Sequence, residues 1–373
     1  MPISRALPVA PMVLTLLAVG TASLPSEPHP TPASSYLPRL VVEGRAPAAA
    51  FLARHHTPGG GQTFGSTGPG IGPGDRFRAG SITKTFVATV VLQLAREGEL
   101  GLDDSVEEHL PGLVQGHGND GSAISLRALL THTSGLYDYM AALPATDPAL
   151  TGAAGPSAQP VTPAAAVRAA VARPPVAARG SYAYSNTNYA LLGLVVQRVT
   201  GHPYAAEIRR RVLVPLRLTG TSLPGVRAVL PLPHSRGYHR SPADGTLREV
   251  TDVDPRFAGA AGELVSTLAD LDAFYAALLG GRLLLPADLA TLLDTRASAG
   301  VYGMGIYPQK LSCGLTVWGH NGHITGSYVR SAATRDGRHT FTFRVNTDTA
   351  PGAALEADLL EAEFCPPARS EGP

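Results

Sequence analysis

The sequence predicts a mixed α/β (α+β) fold in which an antiparallel sheet is flanked by helices and faces a mostly helical lobe. Segments with the alternation of strands lie near both ends of the 373-residue chain, and helical patterns fill the middle. Hydrophobic residues make up 44% of the chain, which allows a sizeable core. The 41 glycines and 33 prolines exceed the usual share of about 12%, but they are spread along the chain. This spread indicates many loops rather than global disorder. We therefore expect the two ends to share one sheet.

The first predicted elements are a hairpin and a long helix. Residues 48–54 and 62–66 flank a glycine-rich turn and are interpreted as two paired strands. The helix is predicted over 81–99, where the pattern is apolar on nearly every side and ends at Gly98. A helix of this kind is expected to be buried at the centre of the fold.

The middle of the chain is expected to form the helical lobe, and the end returns to the sheet. Residues 141–162 are rich in alanine, proline and glycine and are interpreted as a long loop. An amphipathic helix is expected to stop at Gly280. Helices are predicted over 125–130, 188–199, 204–213, 264–279 and 354–364, and strands over 316–318, 328–334 and 340–346.

The N-terminus has the pattern of an export signal. Arg5 precedes an apolar run over 6–19, and small residues follow at 20–22. The run is shorter than the about 20 residues that a membrane span needs. We therefore predict a secreted protein, or a membrane-anchored one if the segment is not cleaved. The predicted organisation is a signal peptide (1–22), a disordered linker (23–37), one domain (38–365) and a loose tail (366–373).

Within that domain, residues 38–80 and 300–365 are expected to form the α/β part and residues from about 100 to 260 the helical lobe. A net charge of +1 argues against a nucleic-acid partner. The glycine-rich stretch 68–74 lacks the pattern of a phosphate-binding loop. We expect a monomer that uses no cofactor and no metal.

Ser81 and Lys84 form the motif S-x-x-K at the start of the long helix. Side chains three residues apart share one helix face, so the hydroxyl and the amine can meet. Serine needs a base to act as a nucleophile, and a desolvated lysine can supply it. The motif alone also fits a solvated serine and lysine, although the apolar helix weakens that alternative.

Two further triplets carry polar groups. Tyr184 and Asn186 are expected on a loop, where residues two apart project to the same side. His320, Asn321 and Gly322 follow an apolar strand, and glycine there lets a ligand backbone approach.

In this order the three motifs resemble those of the penicillin-recognising serine hydrolases, which include D-alanyl-D-alanine carboxypeptidases, class C β-lactamases and related esterases. The resemblance covers roughly residues 38–365. It implies a β-lactamase/transpeptidase-like fold with the site between the α/β part and the helical lobe.

The resemblance also implies residue roles. Ser81 would be acylated, while Lys84 and Tyr184 would handle its proton. The substrate would be bound by Asn186, His320, Asn321 and Gly322, with His320 supplying positive or hydrogen-bonding character. The backbone N–H groups of Ser81 and His323 would form the oxyanion hole.

The sequence departs from the family pattern at several positions. Asn321 stands where relatives have threonine or serine, and His323 where carboxypeptidases often have threonine. Tyr307 lies where an arginine helps those enzymes to bind the terminal carboxylate, and Glu263 replaces a small residue. These departures put strict carboxypeptidase specificity in doubt but leave the acyl-transfer residues intact.

We therefore expect an exported D-alanyl-D-alanine carboxypeptidase that acts on peptidoglycan peptides and that β-lactams can acylate. A β-lactamase or esterase on the same fold is one alternative, and a non-catalytic penicillin or muropeptide sensor is another. A peptide or β-lactam substrate and the cell-wall peptidoglycan are the expected partners.

Cys313 and Cys365, the only cysteines, are expected to form a disulfide. Export would favour the bond, and the final helix is expected to pack on the sheet that holds the third motif. Similar carboxypeptidases carry a cysteine at about the same distance before that motif. The alternative is a pair of unbonded buried thiols.

Overall fold

The computed structural model describes residues 32–142, 162–241 and 244–365. Its helices are Leu37–Glu43 (α1), Thr83–Glu97 (α2), Val106–His109 (α3), Leu126–Leu130 (α4), Pro163–Val171 (α5), Asn186–Thr200 (α6), Tyr204–Ile208 (α7), Val214–Leu216 (α8), Gly259–Gly262 (α9), Leu268–Leu279 (α10), Pro286–Leu292 (α11) and Ala353–Phe364 (α12). Its strands are Ala49–His55 (β1), Gln62–Thr67 (β2), Phe77–Arg78 (β3), Gln115–Gly116 (β4), Asn119–Asp120 (β5), Tyr238–Arg240 (β6), Leu247–Glu249 (β7), Val265–Ser266 (β8), Tyr307–Lys310 (β9), Thr316–Ile324 (β10), Ser327–Thr334 (β11) and His339–Val345 (β12).

The two ends of the chain share the main sheet, as predicted. Within the described residues this sheet has six strands in the order β2-β1-β12-β11-β10-β9. Neighbouring strands are antiparallel, and Ala49 of β1 lies opposite Val345 of β12. The additional strand β9, which the sequence did not reveal, pairs only with residues 316–319 of β10. In the described part of the chain no strand pairs with residues 320–324 on that side, so this end of β10 is an edge.

Helices cover both faces of the sheet. On one face, Leu40 of α1 and Leu359 of α12 pack with Phe343 of β12. On the other face, α2 and α10 lie beneath the helical lobe, and the rings of Phe86 and Phe274 stack with their centroids 3.6 Å apart. Burial of α2 between sheet and lobe is the arrangement that its apolar surface predicts. The mixed α/β architecture is therefore confirmed.

Several element boundaries differ from the prediction. Residues 32–37, which we assigned to a disordered linker, form a 3-10 helix and the first residue of α1, and Ala33 is fully buried there. The helix predicted from residue 264 begins at Leu268, because Val265 and Ser266 pair with β3. This helix, α10, is buried on most sides rather than amphipathic, since it lies between the sheet and the lobe.

Other predictions lie outside the described residues. These are the signal peptide, the linker up to residue 31, the loop over 143–161 and the tail over 366–373. Of the helices that the structure describes, none combines the length and the apolar character needed to cross a membrane.

The predicted disulfide is present in the structure. Cys313 lies in the turn between β9 and β10, and Cys365 directly follows α12. Their Cα atoms are 5.8 Å apart and their sulfur atoms are bonded. The bond fastens the last helix to the hairpin that carries the third motif.

Candidate active site

A cleft of about 730 Å³ separates the free end of β10 from the helical lobe. Ser81 lies at its floor, in the 3-10 turn Gly80–Ile82 that leads directly into α2. Tyr184 and Asn186 line the lobe side, and Asn321 and His323 line the sheet side. The structure therefore brings the three sequence motifs to one place.

Lys84 lies one helical turn from Ser81, and its Nζ is 3.0 Å from Ser81 Oγ. The ammonium is fully buried and donates to Asn186 Oδ1 at 2.8 Å and to the carbonyl oxygen of Ala261 at 2.6 Å. Burial lowers the pKa of Lys84 to about 7, although the carboxylate of Asp138 opposes the shift. In its neutral form the amine can keep both donated bonds and direct its lone pair at the serine hydroxyl. This is the geometry of a general base.

Tyr184 contacts the same oxygen from the other side. Its hydroxyl donates to Ser81 Oγ at 2.9 Å, and its ring lies 4.2 Å from the ring of His132, centroid to centroid. Burial raises the pKa of Tyr184 far above its usual range, so the free protein keeps this proton. His132 is fully buried, and burial lowers its pKa well below 6.5, in keeping with the packing and turn role that its position indicates.

Asn186 does not lie on a loop, as the sequence suggested, but begins α6. Its Oδ1 accepts from Lys84, and its Nδ2 donates to Asp138 Oδ2 at 2.9 Å. The amide thus joins the lysine to a carboxylate that no sequence motif marked. Asp138 could be identified as part of the site only from the fold, which places it beside Asn186.

Glu263 has a structural role that the sequence did not explain. It is buried, and it accepts hydrogen bonds from the Tyr204 hydroxyl and from the backbone N–H of Gly225. These bonds tie α9 to α7 and to the loop around residue 225. Because Ala261 of α9 supplies the carbonyl that Lys84 contacts, Glu263 helps to fix an acceptor of the lysine.

The third motif lies inside β10 rather than after it, so alternate side chains point to opposite faces. Asn321 and His323 line the cleft, whereas His320 is buried and its Nε2 lies 2.7 Å from the Tyr302 hydroxyl. Burial lowers the pKa of His320 to about 3. We expected either positive or hydrogen-bonding character from His320, and burial favours the second, because an imidazole enclosed by protein stays neutral. Its two ring nitrogens contact the Tyr302 hydroxyl and the carbonyl oxygen of Asn321.

Glycine allows β10 to approach the nucleophile. A Cβ atom on Gly322 would lie 1.9 Å from the carbonyl oxygen of Ala79, and one on Gly80 would lie 2.8 Å from the backbone nitrogen of His323. Gly80 also has a φ of +52°, a left-handed conformation that favours glycine. The segments that carry the N–H groups of Ser81 and His323 are thus in direct contact. This proximity is what the predicted oxyanion hole requires.

Tyr307 stands at the position where the resemblance to carboxypeptidases leads us to expect an arginine. Its hydroxyl donates to Asn321 Oδ1 at 3.3 Å, and the guanidinium carbon of Arg330 lies 4.5 Å from the centre of its ring. The position therefore presents a neutral donor rather than a cation. Among the described residues, no group of three or more His, Cys, Asp or Glu side chains is arranged to hold a metal ion.

Comparison with known proteins identifies the family of the chain. The family model described as Beta-lactamase matches residues 39–364. The D-stereospecific amidohydrolase from a Streptomyces species has a similar structure, with a TM-score of 0.81 and 40% identity over 90% of this chain and 99% of that one. The D-amino acid amidase from Ochrobactrum anthropi SV3, at 23% identity and a TM-score of 0.74, shares the fold over 89% of this chain and 97% of its own.

Two relatives found by sequence similarity are named as penicillin-binding proteins. Penicillin-binding protein 4 of Amycolatopsis lactamdurans is 28% identical over 322 residues, which cover 75% of this chain and 79% of that protein. PbpX of Bacillus subtilis is 27% identical over 264 residues, which span 69% of this chain but only 60% of PbpX. The match to the family model extends over most of the chain and includes all three motifs. The chain therefore belongs to the beta-lactamase family, the penicillin-recognising serine hydrolases whose motifs it carries.

Proposed function

We propose that the protein cleaves amide bonds on the carboxyl side of D-configured residues through an acyl-enzyme on Ser81. The observation that carries the proposal is the position of Ser81 Oγ, which lies 3.0 Å from Lys84 Nζ and 2.9 Å from the Tyr184 hydroxyl in an open cleft. The preference for D-residues rests on the likeness to the Streptomyces D-stereospecific amidohydrolase. The N-terminal export pattern leads us to propose action outside the cell.

The reaction follows from these contacts. Neutral Lys84 takes the hydroxyl proton as Ser81 Oγ bonds to the substrate carbonyl carbon, and the backbone N–H groups of Ser81 and His323 stabilise the oxyanion. Tyr184 donates its proton to the leaving nitrogen as the C–N bond breaks, and Lys84 returns a proton to Tyr184. Water then attacks the ester with the same groups acting in reverse, which releases the acid and restores Ser81.

The second candidate is the exported D-alanyl-D-alanine carboxypeptidase that the motifs suggested, acting on peptidoglycan peptides. The similarity to penicillin-binding protein 4 favours it. The neutral Tyr307 hydroxyl, already directed at Asn321, gives a free carboxylate less to bind than an arginine would. We therefore place amides and extended peptides ahead of substrates with a free terminal carboxylate.

A substrate panel tests both candidates and the alternatives. It compares D- and L-alanine p-nitroanilide, acetyl-D-Ala-D-Ala with its carboxylate free or amidated, a chromogenic β-lactam and a p-nitrophenyl ester. We expect the largest kcat/KM for D-configured amides, with at least a tenfold preference for D over L. A preference for the free carboxylate would favour the carboxypeptidase, and faster β-lactam or ester turnover would favour those hydrolases.

Ser81→Ala is the control for the whole panel. It should abolish turnover and the covalent adduct that intact-mass spectrometry detects after incubation with benzylpenicillin or a slow ester. Adduct without turnover in the wild type would indicate a sensor. Equal amounts of adduct in the wild type and in Ser81→Ala would show that Ser81 is not the acylated residue.

A further inference from the structure

A second cavity lies where α7 and α8 meet the segment 217–227. Its volume is about 710 Å³, and its described lining residues do not overlap with those of the catalytic cleft. Arg209, Arg217 and Arg227 line it together with apolar side chains such as Leu213 and Leu223. The site therefore combines charge with apolar surface.

The three arginines carry uncompensated charge. All three are exposed, and among the described residues none has a carboxylate partner. The two neighbouring arginines do have carboxylate partners. Arg210 pairs with Glu207, and Arg211 pairs with Glu207 and Glu97. The basic run 209–211 is thus only partly neutralised, which leaves a positive rim around the cavity.

Several large apolar side chains near this cavity are exposed to solvent. Val214 is 57% exposed, Val226 74%, Val229 66% and Leu232 80%. Val214 and Arg227 line one cavity, and Val226 precedes Arg227 in the chain. The Arg76 guanidinium donates to the carbonyl oxygens of Thr219 and Leu232, which ties the two loops together. We call this surface the arginine–valine patch; it consists of Arg209, Val214, Arg217, Val226, Arg227, Val229 and Leu232.

We propose that the arginine–valine patch docks on the surface of an anionic lipid bilayer. Unpaired arginines attract lipid phosphates, and exposed aliphatic side chains gain by entering the headgroup boundary. A soluble polyanion would pair with the arginines but would leave the valines and Leu232 in water. The combination of both features on one surface therefore favours lipid.

Vesicle co-sedimentation of the full chain tests the proposal. Partitioning onto phosphatidylglycerol vesicles should exceed partitioning onto phosphatidylcholine vesicles and should fall as salt rises. The triple variant R209Q/R217Q/R227Q should lose at least tenfold in partitioning, since each arginine near an anionic surface contributes severalfold. The pair V226S/V229S should also bind less, while hydrolysis of a soluble amide stays unchanged in both.

Matched controls isolate the patch. R173Q/R248Q/R335Q removes the same charge from exposed arginines elsewhere, and V42S removes an equally exposed valine. All variants share one N-terminus, so differences between them report on the substitutions. Equal binding to neutral and anionic vesicles, or equal loss in the control triple, would overturn the proposal. So would arginine-dependent binding of a soluble polyanion that the valine pair leaves unchanged, because that result would indicate a purely electrostatic site.

Discussion

At the scale of single residues, the charge state of Lys84 decides whether Ser81 can react. Burial brings the pKa of Lys84 to about 7, and Asp138 is the group that raises it. Only the neutral amine accepts the serine proton. The rate of acylation should therefore rise as the pH increases through about 7 and level off above that value.

We predict that Asp138→Asn moves this rise to lower pH. Removing the carboxylate removes the interaction that favours the ammonium, so the pKa of Lys84 falls further, while the asparagine oxygen can still accept from Asn186. The measurement is kcat/KM for a D-amino acid amide between pH 5 and 9. Asp103→Asn, at an exposed position that pairs with Arg127, is the control and should leave the profile unchanged. A shift to higher pH would contradict this account of Lys84.

We also predict that Tyr184 and Lys84 act as one unit, because both contact Ser81 Oγ. Tyr184→Phe should lower the acylation rate by about 10² or more. Adding Lys84→Ala should then cost much less than the product of the single effects. Tyr182→Phe is the control. The ring of Tyr182 lies 6.0 Å from the ring of Tyr302, and among the described contacts its hydroxyl makes no hydrogen bond, so this variant should behave like wild type. Fully multiplicative losses would show that the two residues act independently.

At the scale of elements, the site depends on how closely β10 approaches the turn before α2. We predict that Gly322→Ala damages both stability and activity, because the new Cβ would lie 1.9 Å from the Ala79 carbonyl oxygen. Overpacking of this kind costs about 1–3 kcal/mol, and a displacement of about 1 Å can lower activity about 10²-fold. The measurements are the melting temperature and kcat/KM.

Gly74→Ala provides the matched control for this prediction. A Cβ there would meet no atom within 4 Å, and Gly74 does not need a positive φ. This variant should match the wild type in both measurements. If Gly322→Ala were equally silent, the contact between β10 and the 3-10 turn would not be the constraint that positions Ser81.

At the scale of the whole molecule, the bond between Cys313 and Cys365 joins the turn between β9 and β10 to the end of the last helix. We predict that Cys313→Ser/Cys365→Ser lowers the free energy of unfolding by up to about 4 kcal/mol, because the bond spans 52 residues and restricts the unfolded chain. Neither cysteine lines the cleft, so activity at room temperature should change less than twofold.

Thermal unfolding with and without reductant measures this effect. Reductant should lower the melting temperature of the wild type and leave the double variant unchanged. Non-reducing peptide mapping of protein purified from its own host supplies a second check. Recovery of both cysteines as alkylatable thiols would contradict the bond.

Read alone, the sequence predicted most of the main strands and helices, and its motifs predicted the family and a common site for Ser81, Lys84 and Tyr184. The pairing of Ser81 with Lys84 and the burial of α2 were predictable because they are local features: a helix places residues 81 and 84 one turn apart, and apolar periodicity identifies the buried helix. Tyr184 lies 103 positions from Ser81, and only the resemblance to the family indicated that the two share a site. The cysteine pair was predictable too, since the chain contains no other candidates.

The charge state and the surroundings of those groups follow from the three-dimensional fold. Asp138 lies beside Lys84 through Asn186, although 54 positions separate the two charged residues in the chain, and His320 is neutral because protein encloses it. The edge at residues 320–324 exists because β9 pairs with only part of β10. Desolvation, partner charges and strand pairing all depend on segments distant in sequence, and a pattern along the chain cannot report them.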